Sequence, residues 1–147
     1  MTTMMAPRTR TAELADSLRG PLLRLTRLMR QERSDASVPI GQLAALGTVH
    51  HYGPLTAGEL AEREQMQPPS MTKIIAALED RGLIQRAIHP IDRRQILVSC
   101  TAAGRDLVIS TRRARTEWLA RRLTLLTADE RAALRAAAPV LEKLARR

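Results

Sequence analysis

The fold is determined by residues 56–104, which read TAGELAEREQMQPPSMTKIIAALEDRGLIQRAIHPIDRRQILVSCTAAG. The opening Thr56 to Glu59 matches a capping box, in which a Thr hydroxyl and a Glu carboxylate satisfy unpaired N–H groups of a first helical turn. A second helix is predicted from Pro68, because proline tolerates the first turn of a helix, and its predicted end is Gly82. Two short helices separated by a tight break are typical of a helix-turn-helix.

The hydrophobic pattern changes its period after this second helix. Residues 83–88 and 95–100 read as strands, with a charged turn over residues 90–94 between them. A β-hairpin directly after a helix-turn-helix makes the motif winged. The sequence therefore predicts a mainly α fold with a small β-hairpin wing, the α+β winged helix.

Amphipathic helices flank this segment on both sides. Leucines at spacings of three and four predict a helix from Thr11 to about Arg33, and a second helix from Pro39 to the break at Gly53. On the C-terminal side, Thr101 is predicted to cap one long helix, and a second capping box starts the last helix.

These elements divide the chain into four predicted segments. They are a flexible tail over residues 1–10, an N-terminal dimerisation helix and second helix over 11–52, a winged DNA-binding lobe over 53–100, and C-terminal dimerisation helices over 101–147. The outer helices carry apolar stripes that one winged lobe is too small to cover. Because exposed apolar patches of that size normally contact a partner, we expect a homodimer.

The composition favours an anionic partner. Lys and Arg number 24 against 15 Asp and Glu, a formal net charge of +9, with one Trp, one Tyr, no Phe and one Cys. Such a balance points to nucleic acid or an anionic membrane face. Readers of single strands stack bases on aromatic rings, so the scarcity of aromatics favours double-stranded DNA. With no apolar stretch near the roughly 20 residues of a membrane span and one Cys, we expect a cytoplasmic protein without membrane contact.

The placement of charge suggests which residues contact DNA. No acid lies between Glu64 and Glu79, and the second helix of such motifs enters the major groove with its N-terminal residues at base edges. The N-terminus of that helix should also favour phosphate through exposed N–H groups. Arginine suits a narrow minor groove, and Asp92 is placed to hold a neighbouring Arg. The predicted DNA-contacting residues are Pro69, Ser70, Thr72, Lys73, Arg86, Asp92, Arg93 and Arg94. For Arg86, as for Arg81, a role away from DNA is equally open.

The same segment resembles the MarR family of bacterial transcriptional regulators. That family has a Leu-x-x-x-Gly-Leu turn, an Asp-x-Arg wing motif and a Leu-Thr-x-x-Gly helix start, which match residues 78–83, 92–94 and 101–104, with Cys100 in place of the last Leu. The resemblance implies a dimer that reads two half-sites of a pseudo-palindrome, with Arg94 in the minor groove. It also implies repression that is released by a small phenolic or lipophilic ligand, or by oxidation of a Cys.

The resemblance also implies an effector cleft, which opens near His50, His51 and Tyr52. We expect a ligand role for one of these residues at most. The two adjacent histidines point to different helix faces, so no metal site is expected. Cys100 replaces a buried Leu and is expected to be a small thiol of the core.

Two other functions remain open, a non-specific architectural DNA-binding protein and a helical protein–protein adaptor. Enzymatic activity is not expected, because the sequence has no nucleophile elbow, phosphate loop or metal-protease helix. No cofactor is expected either.

Overall fold

The computed structural model of the chain describes residues 7–146. Within this range the fold consists of six helices and three short strands. In chain order they are α1 (Pro7–Gln31), α2 (Ile40–Tyr52), β1 (Leu55–Thr56), α3 (Ala57–Arg63), α4 (Pro68–Asp80), β2 (Ile84–Ile88), β3 (Ile96–Cys100), α5 (Ala102–Leu123) and α6 (Ala128–Ala145). None of the helices in this range is long and apolar enough to cross a membrane.

The predicted winged-helix fold class is confirmed, and one boundary needs correction. Helix α1 begins at Pro7, so residues 7–10 are helical and do not belong to the predicted flexible tail, whose remainder lies outside the described residues. The prediction missed this turn because it relied on apolar spacing, and the first large apolar residue of the helix is Leu14. Proline is itself suited to the first position of a helix.

The helix-turn-helix forms as its capping residues predict. The Oγ1 atom of Thr56 accepts from the N–H of Glu59 at 3.2 Å, and Oε2 of Glu59 accepts from the N–H of Thr56 at 2.8 Å. The chain then reverses at Gln65, whose φ is 52°. There the N–H of Met66 donates to the carbonyl of Ala61 at 2.9 Å, which fixes the turn between α3 and α4.

The wing belongs to a three-stranded antiparallel sheet in the order β1-β3-β2. Ile84 pairs with Cys100 at the base of the hairpin, and Leu55 of β1 pairs with Val98 on the other side of β3. Strand β1 is not predicted from the sequence, because two residues are too short to show a strand pattern.

The hydrophobic core lies between α2 and the winged lobe, beneath α4. Leu46, Leu60, Met71 and Leu78 are completely buried, and Ile75 is 2% exposed. Burying each such side chain stabilises the fold by about 1.5–3 kcal/mol. The core therefore fixes the rotation of α4, and with it the choice of residues that face solvent.

The start of α5 is joined to the end of α4 by a Thr and two glycines. Thr101 donates from its N–H to Leu83 O at 3.1 Å and from Oγ1 to Gly82 O at 2.6 Å, while Oγ1 accepts from the N–H of Gly104 at 3.1 Å. Gly82 has φ +70°, a left-handed conformation that suits glycine. A Cβ on Gly104 would lie 2.0 Å from Leu83 O, so only glycine fits there.

Substituting Gly104 with alanine is expected to lower the free energy of unfolding by about 2–3 kcal/mol, because the added methyl overlaps the Leu83 carbonyl, which accepts a hydrogen bond from the N–H of Thr101. Urea denaturation measures the change. The matched control is Gly58→Ala, also in a first helical turn, where the nearest heavy atom to the new Cβ is 4.0 Å away. Equal stability of the two variants would contradict the close approach of α5 to Leu83.

Candidate nucleic-acid interface

The first half of α4 presents a polar face without acidic residues. Met71 is turned into the core, and this orientation leaves the predicted contact residues exposed, namely Pro69, Ser70, Thr72 and Lys73. The hydroxyl of Thr72 donates to the carbonyl of Pro68 at 3.0 Å. Its oxygen lone pairs are thus directed away from the helix backbone, so Thr72 is placed to accept a hydrogen bond. Lys73 supplies the positive charge of this face.

The expected anion site at the N–H groups of this helix start is not formed. Pro68 and Pro69 have no N–H to offer. The N–H groups of Ser70 and Met71 both donate to the carbonyl of Gln67, at 3.0 and 3.1 Å. Contacts to phosphate at this end must therefore come from side chains, and the expectation of backbone N–H donors is wrong here.

The tip of the wing holds an arginine in an exposed position. Asp92 accepts through Oδ1 from the backbone N–H of Arg94 and from its Nε, both at 3.1 Å, and through Oδ2 from an Nη of the same residue at 3.4 Å. The hydrogen bonds from Arg94 lower the pKa of the Asp92 carboxyl, so it stays ionised. The Arg94 side chain is nevertheless 92% exposed. Arg93 lies exposed in the same turn.

Two other arginines of the lobe are engaged by the protein itself. Arg86 of β2 forms a salt bridge from Nε to the carboxylate of Glu79 on α4, and both side chains remain partly exposed. Arg81 donates to the carbonyl of Ser37 at 2.9 Å, in the loop between α1 and α2. The first contact joins β2 to α4, and the second joins the end of α4 to the loop between α1 and α2. They favour a structural role over direct DNA contact for both residues.

A cleft of about 280 Å³ separates α1, α2 and α5. Its walls are mostly apolar, with Met29, Leu43 and Leu119 among the lining residues, and two cations, Arg112 and Arg115, reach it from α5. Burial, and secondarily nearby positive charge, lowers the pKa of Arg115, whose Nε donates to the carbonyl of Glu32 at 3.2 Å. The resemblance implies an effector cleft, but the sequence does not identify these lining residues, because they come from three separate helices.

The structure does not gather the three predicted ligand residues into one cavity. His50 borders a separate depression of about 200 Å³, together with Cys100 and Arg105. Tyr52 lies 4.5 Å from His51 in an edge-to-face arrangement, and the Arg63 guanidinium lies 4.1 Å above its ring. Among residues 7–146, no group of three or more His, Cys, Asp or Glu side chains is arranged to hold a metal ion.

Cys100 is part of the core. The residue is only 8% exposed, and its thiol lies 3.7 Å from the carbonyl oxygen of Leu46. Burial raises the pKa of this thiol, which disfavours the reactive thiolate.

A helix-turn-helix packed against a hairpin with an exposed arginine at its tip defines a winged helix-turn-helix DNA-binding protein. A model of the MarR family matches residues 38–96. An HTH-type transcriptional regulator of Mycobacterium tuberculosis (strain CDC 1551 / Oshkosh) is 48% identical over 130 residues, which are 88% of this chain and 91% of that protein. The chain therefore belongs to the MarR family of DNA-binding transcriptional regulators.

Two further similarities agree with this assignment. A crystal structure of a protein from Pseudomonas aeruginosa assigned as a transcriptional regulator superposes with a TM-score of 0.82 at 35% identity, covering 94% of this chain and 97% of that one. The HTH-type transcriptional repressor MdtR of Bacillus subtilis is 31% identical over 102 residues, which are 69% of this chain and 66% of that protein.

Proposed function

We propose that the protein is a cytoplasmic, homodimeric repressor that binds a pseudo-palindromic operator in double-stranded DNA. In this proposal α4 enters the major groove with Pro69, Ser70, Thr72 and Lys73, and the wing places Arg94 in the minor groove. The observation that carries the proposal is the tip of the wing, where Asp92 orients Arg94 while 92% of the arginine side chain stays exposed. The name of the Bacillus subtilis relative supports repression.

The proposal is tested with the DNA upstream of the protein's own gene. Fluorescence polarisation should show an affinity for a duplex that contains an inverted repeat at least about 1,000-fold higher than for a shuffled duplex. Footprinting should protect two half-sites about one helical turn apart. Uniform protection of the whole probe, with no preference between the two duplexes, would instead favour an architectural DNA-binding protein.

The cleft between α1, α2 and α5 supports an effector site. Mostly apolar walls that also include Arg112 and Arg115 suit a small lipophilic molecule that carries a phenolate or carboxylate. The cleft adjoins the outer helix α1 and also α2, which packs against α4 of the winged lobe, so a ligand there can favour one lobe spacing over another. The ligand releases the protein from DNA only if it binds more tightly to the lobe spacing that does not fit the operator.

Filling the cleft should remove the response to such a ligand. A Cβ on Gly47 meets no heavy atom within 4 Å, and Gly47 lines the cleft, so Gly47→Leu places its side chain in the ligand volume. We expect unchanged operator affinity and at least a tenfold weaker effect of substituted phenols and benzoates on DNA release. Gly41→Leu, at an exposed and equally open position of α2, is the control. An unaltered response in Gly47→Leu would place the effector elsewhere.

A further inference from the structure

The turn of the wing is held by the ring of His89. The Nδ1 atom of this residue accepts two backbone hydrogen bonds, from the N–H of Ile91 and from the N–H of Asp92, both at 3.1 Å. The backbone N–H of His89 in turn donates to the carbonyl of Gln95 at 3.0 Å, across the hairpin. His89 therefore closes the loop from one side, and Asp92 closes it from the other by binding Arg94.

This arrangement requires one protonation state of the imidazole. An Nδ1 atom that accepts hydrogen bonds carries no proton, so the neutral ring must have its proton on Nε2. A protonated imidazolium has N–H donors at both nitrogens and can accept neither bond. The side chain thus does what an Asn or Asp oxygen does in an Asx turn, where it accepts from N–H groups two and three residues ahead.

Charged groups around His89 increase the effect that its protonation has on the geometry of the turn. A charged His89 ring would lower the pKa of Asp92, in the same turn, and that of Glu59, at the start of α3, and Arg94 is bound to Asp92. An imidazolium would lose its two N–H partners and attract the Asp92 carboxylate. Asp92 would then be shared between His89 and Arg94, and the arginine would lose its fixed direction.

We propose that His89 is the positioning residue of the wing, and that its protonation lowers the sequence-specific affinity of the protein for DNA. The effect is transmitted through three contacts: Nδ1 of His89 binds the N–H of Asp92, the Asp92 carboxylate binds Arg94, and Arg94 binds the minor groove. The last step rests on the proposed function.

Two substitutions of His89 distinguish the role of its hydrogen-bond acceptor from the effect of its protonation. His89→Asn keeps an acceptor at the Nδ1 position and cannot be protonated, whereas His89→Gln moves the acceptor one bond further out. The readout is the ratio of operator affinity to random-duplex affinity between pH 8 and 5.5, which cancels the general gain in attraction to phosphate that added positive charge brings.

For the natural chain we expect this ratio to fall at least about tenfold as the pH is lowered, because two ordinary hydrogen bonds are lost in each of the two subunits. The Asn variant should keep the high ratio at every pH, and the Gln variant should show the low ratio at every pH. A Gln variant equal to the natural chain at pH 8, or an Asn variant with the same pH dependence as the natural chain, would overturn the proposal.

A second measurement on the free protein does not depend on DNA. In a ¹⁵N NMR titration, the ring of His89 should have an unprotonated Nδ1 at pH 8, and the amide signals of Ile91 and Asp92 should shift as the ring is protonated. A proton on Nδ1 at pH 8, or amide signals that do not follow the ring, would refute the capping role. If the natural chain does not distinguish operator from random duplex at pH 8, the proposed function fails, and this titration still decides the role of His89.

Discussion

Replacing Arg94 with alanine is expected to raise the dissociation constant for the operator by roughly 30- to 1,000-fold. A specific arginine contact contributes about 1–2 kcal/mol, and a two-fold symmetric complex contains it twice. The arginine is already oriented by Asp92, with 92% of its side chain exposed, so little freedom is lost when it enters the groove. The negative potential of a narrow minor groove supplies the attraction.

The charge-matched control for this substitution is Arg113→Ala. Arg113 is also exposed and also bound to a carboxylate, that of Glu117 at 2.9 Å, but it lies on α5 outside the winged lobe. Both variants lose one positive charge per chain, and only Arg94→Ala should show the large loss of affinity. The logarithm of the binding constant should also depend less steeply on salt for Arg94→Ala. Equal losses in the two variants would mean that net charge, and not the wing, determines binding.

The winged lobe was predictable because its signals are local. The capping residues Thr56 and Glu59, the helix start at Pro68 and the stop at Gly82 each act within a few residues, and each is confirmed in the structure. The pairing of Asp92 with Arg94 is similarly local, since the two residues are two positions apart. Sequence neighbours of this kind have few alternative arrangements, so their chemistry fixes their geometry.

The contacts that decide which arginines remain available to contact DNA could not be predicted in the same way. Arg86 is bound by Glu79 from another element, and Arg81 reaches the loop at Ser37, 44 positions earlier in the chain. The role of His89 depends on the rotation of its ring in the turn, which no spacing pattern encodes. Long-range packing and side-chain rotation determine these contacts, and both follow from the fold rather than from the motif.

A double substitution on α1, Leu18→Glu with Leu22→Glu, is expected to convert the proposed dimer to a monomer and to lower operator affinity by more than about 100-fold. The two leucines are four residues apart and share one face of the helix. In the single chain they are 37% and 40% exposed. Carboxylates at both positions would have to be buried against the partner, which is strongly unfavourable. With one lobe detached, the second half-site no longer adds to binding.

The surface of the chain supports this expectation. Its accessible area is 11240 Å² at a mass of 16.3 kDa, whereas a compact monomer of that mass exposes about 7,500 Å². Helix α6 buries none of its residues, and several large apolar side chains of α1 and α6 are exposed. They are Leu14, Leu18, Leu22, Leu23, Leu25, Leu28, Leu134, Val140, Leu141 and Leu144. Apolar area of this extent on two outer helices normally contacts a partner.

Sedimentation velocity measures the outcome, with the natural chain expected at twice 16.3 kDa and the double variant at that single mass. Arg19→Glu is the control, because it adds a carboxylate to the same helix at a position 69% exposed and bound to Asp16. The core of the winged lobe contains no residue of α1 among those described, so far-ultraviolet circular dichroism and a cooperative melt should show the lobe intact. A folded double variant that remains a dimer would exclude this face of α1 from the interface, and a folded monomer with undiminished operator affinity would show that one lobe suffices for binding.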